Sequence, residues 1–270
     1  MTVAEASARE RDDAHTARLR ARAADVLLAL TESDLRARYG RGPWRLVKWL
    51  LDPFAVVGIY LLLVTVVLER GGRAPGLAIA CAVVPFQLVM STIVSALNAV
   101  PQRSSIILNM AFERVLIPVA STLTETIAFA ASLVLVALMM VVYGIPPTFA
   151  VAWLPLVLAL NVVLGVAAAY GASLLGLWLP DLRPFAISFV RTMFFLAPGL
   201  VPLSEIGGRA NDLLRINPLT GLFEAYRSIL VYGHRPAAWQ LLYPLAAAAL
   251  LLAVFVSVYV RDQREFAKVL

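Results

Sequence analysis

Charge, cysteine and lysine are scarce in this chain, and each shortage closes off a class of function. Charged residues make up 15% of the 270, whereas a soluble domain of this size carries about 25%. They are bunched at the ends and in short breaks, so long stretches are unfit for a water-facing surface. The single cysteine, Cys81, lies inside an apolar run, which excludes an intrachain disulfide and a thiolate metal cluster. The only lysines, Lys48 and Lys268, follow Val47 and Ala267, while a phosphate loop of the Walker type needs lysine directly after glycine. The only adjacent carboxylates are Asp12 and Asp13 in a loose N-terminal stretch, so acid–base or metal-assisted catalysis lacks its usual cluster. His15 and His234 are far apart in the sequence and read as solvated side chains rather than ligands. Met1 to Asp13 also lacks the apolar core of a signal peptide.

What the chain has is apolar length. Hydrophobic residues make up 61% of it and its mean hydropathy is +0.82, which places it among polytopic membrane proteins. A helix needs about 20 apolar residues to cross a bilayer core of ~30 Å at ~1.5 Å per residue. Gly76 to Val100 holds no charge, and after a polar break from Pro101 to Pro118 the apolar run resumes. No charge occurs from Thr126 to Pro180, too long for one helix, so Tyr143-Gly144-Ile145-Pro146-Pro147 is expected to be a turn. Spans are expected at about 53–68, 76–100, 115–143, 153–179, 185–201 and 239–260, with Pro85 able to kink the second. Leu203 to Ala238 is mixed, with apolar pieces too short to cross that read as interfacial or re-entrant helices.

The fold class expected is all-α integral membrane: six transmembrane helices, an N-terminal amphipathic interfacial helix, and short re-entrant helices before the last span. Residues 1–52 are read as a cytoplasmic tail plus the amphipathic helix, with Leu19, Ala23, Val26, Leu27 and Leu30 at helical spacing. Residues 53–260 form the membrane domain and 261–270 a cytoplasmic tail. With both termini inside, 16 Arg and Lys face the cytoplasm and six the other side, as the positive-inside bias requires. The net charge of +6 is therefore read as orientation rather than nucleic-acid binding.

Short segments in register with this topology carry a family resemblance. They are Phe112-Glu113-Arg114-Val115-Leu116-Ile117-Pro118; Asp181-Leu182-Arg183-Pro184-Phe185 with Phe194-Phe195-Leu196-Ala197-Pro198 and Pro202; and Asn217-Pro218-Leu219-Thr220-Gly221-Leu222-Phe223-Glu224-Ala225-Tyr226-Arg227. They resemble permeases of the ABC-2 type that export polysaccharides, O-antigen and teichoic acid. Glu113 stands where the family has proline. Arg38-Tyr39 with Pro53 resembles the motif at the family's first span, while Gly42-Pro43-Trp44 departs from its Ser-x-Leu-Gly.

The resemblance implies a permease subunit with no nucleotide site and no cofactor of its own, in the bacterial cytoplasmic (plasma or inner) membrane. It implies as partners a second copy of the chain, two ATP-binding subunits that hydrolyse the ATP, membrane lipid, and a lipid-linked glycan as cargo. Asn109, Met110, Phe112, Glu113 and Arg114 would couple to the ATPase, unless Arg114 only anchors a helix end at the headgroups. Glu125, Arg191, Phe194 and Phe195 would line the export path, the other reading of Glu125 being a structural pair with Arg191 or a neighbouring hydroxyl. Tyr170 and Trp178 are read either as further sugar-facing aromatics or as core and lipid-facing residues. Asn217, Pro218, Glu224, Tyr226 and Arg227 would form an external gate, or simply cap a short helix. Rival functions are an ABC-2 exporter of a drug or lipid, and a membrane enzyme or scaffold.

Overall fold

The computed structural model describes residues 23–37, 51, 54–59, 62, 74–104, 107, 113–263 and 265–266. The tail before residue 23, most of the expected first span, and Asn109, Met110 and Phe112 lie outside the described residues. Every regular element described is helical: α1 (residues 23–37), α2 (Pro75–Gln102), α3 (Leu116–Val142), α4 (Leu154–Trp178), α5 (Arg183–Leu196), α6 (Arg209–Leu214), α7 (Pro218–Leu230) and α8 (Ala238–Asp262). Among the described residues, four helices are long and apolar enough to cross a membrane: α2, α3, α4 with its leading 3-10 turn, and α8.

Local chemistry sets their ends. Pro75 opens α2 at the first helical position, where its missing N–H has no intrahelical partner to lose. The Gly76 N–H, one of the orphan donors of that end, reaches the Tyr143 hydroxyl at 3.1 Å. Tyr143 follows α3, so this bond places the start of α2 beside the end of α3. Gly144 then turns the chain at φ 63°, a left-handed conformation that glycine adopts without strain. Thr148 caps the 3-10 turn Phe149–Trp153 by accepting from the Ala150 N–H at 3.3 Å. Pro85 lies within α2, which nevertheless continues as one helix to Gln102.

α2 is the buried centre, packed on α3, α4 and α7. Its contact with α4 depends on small residues: Gly165, Ala169, Ser173 and Gly176 are all buried at spacings of three and four. At Gly176 an added Cβ would stand 1.9 Å from the Leu97 carbonyl oxygen. Polar ties close the end nearest the central break. Tyr170 donates to the Val115 carbonyl at 2.9 Å and Tyr259 to that of Arg114 at 3.2 Å. Tyr259 also meets Tyr170 and Phe266 edge to face.

Two parts differ from the expectation. The helix expected over 185–201 is α5, of 14 residues, about 21 Å at 1.5 Å per residue and shorter than the apolar core of a bilayer. It stops because Pro198 drives Ala197 to extended backbone, φ −108° and ψ 107°. The second is α7, in the stretch expected to hold interfacial or re-entrant helices, and it departs from the interfacial alternative only. Eleven of its 13 residues are buried, and it packs against α2, α4 and α8. Its Glu224 and Arg227 satisfy each other inside the protein rather than facing water.

Candidate functional site

The candidate site follows from one face of α2. Gln87, Ser91, Ser95, Asn98 and Gln102 recur at spacings of four, four, three and four in an otherwise apolar helix, which puts them on one side. Each is partly or fully exposed, while Leu88, Thr92, Ala96 and Ala99 on other faces are buried. A polar row that protein does not cover has no place against hydrocarbon. A cavity lies at each end of it.

The first cavity, of about 310 Å³, is lined by Gln87 and Ser91 from α2 and by Arg191, Phe194 and Phe195 from α5. Phe194 is fixed: it is 2% exposed and lies 4.8 Å from Phe86, 5.4 Å from Phe195 and 5.9 Å from Phe223, centre to centre. Gly199 makes this possible, since a Cβ there would meet the Phe194 ring at 2.5 Å. Phe195 and Arg191 are exposed. The cavity thus offers an aromatic face beside a guanidinium, an amide and a hydroxyl.

The second cavity, of about 360 Å³, lies between α1, α2 and α3. Ser95, Asn98 and Gln102 face Ser121 and Thr124, and Arg103 and Asp34 line the same space. Arg103 forms an ion pair with Asp34 and donates to the Ala99 carbonyl at 3.0 Å. Glu125 is 3% exposed and accepts a hydrogen bond from the Ser95 hydroxyl. Arg183 donates to Asn98 at 3.3 Å and from its Nε to the Gly176 carbonyl at 3.1 Å.

Of the residues expected on the export path, Arg191, Phe194 and Phe195 come together. Glu125 does not line either cavity but accepts from Ser95, which lines the other one, and the polar face of α2 joins the two cavities. Tyr170 is in the core, 4% exposed, and Trp178 is partly exposed.

The residues expected at an external gate are packed into the end of the bundle where α2 begins. Arg227 is 0% exposed. Its Nε donates to the Ala78 carbonyl at 3.0 Å, one terminal nitrogen to Pro198 and to Glu224 at 2.7 Å each, and the other to Gly199 at 2.9 Å. Glu224 also accepts the Leu203 N–H at 3.0 Å. Asn217 caps α7 by accepting from the Leu219 N–H at 3.0 Å, and donates to the Met193 carbonyl at 2.7 Å. Pro218 is the first residue of that helix. Tyr226 is 2% exposed, beside Asn161.

Of the coupling set, Glu113 is exposed and Arg114 is half-buried, donating to the Gln263 carbonyl beyond α8. Arg103 and Arg183 were placed at no site from the sequence, Arg183 appearing only within the Asp181–Phe185 motif, and the polar face of α2 was not singled out, although the spacing of Gln87 to Asn98 in a charge-free run is a legible signal.

No family model matches the chain. It is 26% identical over 247 residues to an O-antigen export system permease protein, RfbA, of Myxococcus xanthus, a match that covers 90% of this chain and 94% of that protein. Two proteins of the same description from Klebsiella pneumoniae are each 22% identical over 210 residues, covering 77% of this chain and 81% of theirs. Along most of its length the chain is therefore similar to O-antigen export permeases, in keeping with the resemblance to ABC-2 polysaccharide export permeases that its motifs carry.

Proposed function

We propose that this chain is the membrane-spanning permease subunit of an ATP-driven exporter, moving a lipid-linked polysaccharide of the O-antigen type across the bacterial cytoplasmic membrane. The observation that carries this is the similarity to O-antigen export permeases over 90% of the chain. The helices able to cross a membrane and the polar face of α2 support it. ATP is hydrolysed by separate ATP-binding subunits, two of them, on a pair of permeases. The full arrangement has six spans, the first over residues 53–68 and the fifth made of α5 and the chain to Val201. Both termini are cytoplasmic, with the amphipathic helix at the membrane surface.

The geometry supports a division of labour. The segment from Asn109 to Arg114 docks on the ATPase together with the N-terminal helix. Arg114 also holds the end of α8 through Gln263, so a push on this segment reaches the last span directly. Sugar rings pass the first cavity with their apolar faces on Phe195 and their hydroxyls against Arg191, Gln87 and Ser91. At the external end, α7 moves as one body, since Arg227 and Asn217 tie it to the start of α2 and the end of α5.

Purification of the tagged chain in mild detergent from its own host tests this. An ATPase should co-purify with the wild type and be lost from Arg114→Glu, while the permease stays folded by size exclusion. A folded chain that never carries an ATPase would overturn the proposal.

A further inference from the structure

The second cavity has no role in the division of labour above, and its chemistry is distinctive. Its lining alternates hydroxyls, from Ser95, Ser121 and Thr124, with the carboxamides of Asn98 and Gln102. The charges that line it are matched, since Arg103 is paired with Asp34. A site for phosphate concentrates positive charge and fixed N–H donors. A site for a neutral sugar interleaves donors and acceptors, because each ring hydroxyl gives one bond and takes others.

The size of the cavity points to a small ligand. The volume of about 360 Å³ falls at the small end of the range for ligand pockets, enough for a monosaccharide unit but not for a folded chain. The place also fits. The cavity opens where α2 ends and α3 begins, the cytoplasmic side in the orientation proposed above, and Ser91 and Gln87 continue its polar face to the aromatic cavity.

We propose that this cavity is a recognition subsite for a neutral sugar unit of the cargo, met before the glycan reaches the Phe194 and Phe195 cavity. Ser95, Asn98, Ser121 and Thr124 bind its hydroxyls, with Gln102 at the mouth. α1 closes one side through Asp34. This subsite presupposes the export reading, but its test does not.

Cys81 is 1% exposed, so the wild type gives a low background for a water-soluble methanethiosulfonate reagent. The full-length Ser95→Cys chain in detergent is labelled in buffer, with glycan released from the host's own lipid-linked polymer by mild acid, and with inorganic pyrophosphate at equal ionic strength. Labelling should slow several-fold with the glycan and not with pyrophosphate. Adding Asn98→Ala to Ser95→Cys should weaken that protection. Gln102→Cys, at the exposed mouth, serves as a second reporter if Ser95→Cys does not fold. Protection by pyrophosphate alone, equal labelling in all arms, or no labelling of a folded reporter would each overturn the subsite. A co-purifying ATPase with no protection by glycan would leave the export reading standing and remove only the subsite.

Discussion

Replacing Arg227 with methionine should destabilise the protein more than any other single substitution at the end where α2 begins. The guanidinium joins Ala78 in α2, Pro198 and Gly199 after α5, and Glu224 one turn before it. Hydrogen bonds to a charged group contribute roughly 1.5–3 kcal/mol each, so four amount to about 6–12 kcal/mol before the cost of burying the charge. That cost is several kcal/mol per ion, which leaves a net loss near the ~3–5 kcal/mol seen when one partner of a buried pair is removed. At ~1.4 kcal/mol per factor of ten, this is roughly two to three and a half powers of ten in the folding equilibrium. Arg227→Lys should fall between, because an ammonium keeps the charge but cannot present the planar fork that reaches these acceptors. Arg227→Met with Glu224→Gln should recover part of the loss, since the neutral amide leaves no unmatched charge and still accepts from the Leu203 N–H. Thermal unfolding in detergent, followed by fluorescence-detected size exclusion, reads all four proteins. Arg227→Met melting with the wild type, or Glu224→Gln deepening its loss, would refute the reasoning.

Gly176→Ala should force α2 and α4 apart, because its Cβ would stand 1.9 Å from the Leu97 carbonyl oxygen; a monodisperse, wild-type elution profile would contradict that contact. Asn217→Ala should cost about 1 kcal/mol or more from the lost cap, with a further loss from the bond to Met193, while Asn217→Asp should keep the cap and lose only that bond; denaturant titration separates the two. Asp34→Asn should free α1 from Arg103, so limited proteolysis should cut within residues 23–37 faster than in the wild type; an unchanged digestion rate would show that this pair does not hold the helix.

α2, α3, α4 and α8 were legible because hydropathy and length are local properties, and the turn at Gly144 is written in its own residues. The end of α5 was misread by the same logic: the apolar run continues to Val201, but Pro198 acts on Ala197 whatever the hydropathy. The burial of α7 was not legible for a different reason. Glu224 and Arg227 were read as gate or capping residues, and their burial depends on carbonyls at Ala78, Pro198 and Gly199 that only the fold brings within reach. Glu125 stood out in the sequence as a carboxylate inside an apolar run, yet its partner, Ser95, sits on another helix. The polar face of α2 was within reach of the sequence, since its spacing is helical and its residues are the few polar ones in a charge-free run. Its meaning came from the two cavities that it connects.

The central claim is that the chain carries a lipid-linked glycan out of the cytoplasm. Depletion of the chain in its host, with radiolabelled sugar to follow the polymer, tests it most directly. The account predicts that lipid-linked glycan accumulates on the cytoplasmic face of the membrane and disappears from the cell surface, and that the wild-type chain restores both. Glycan reaching the surface at the undepleted rate would contradict it.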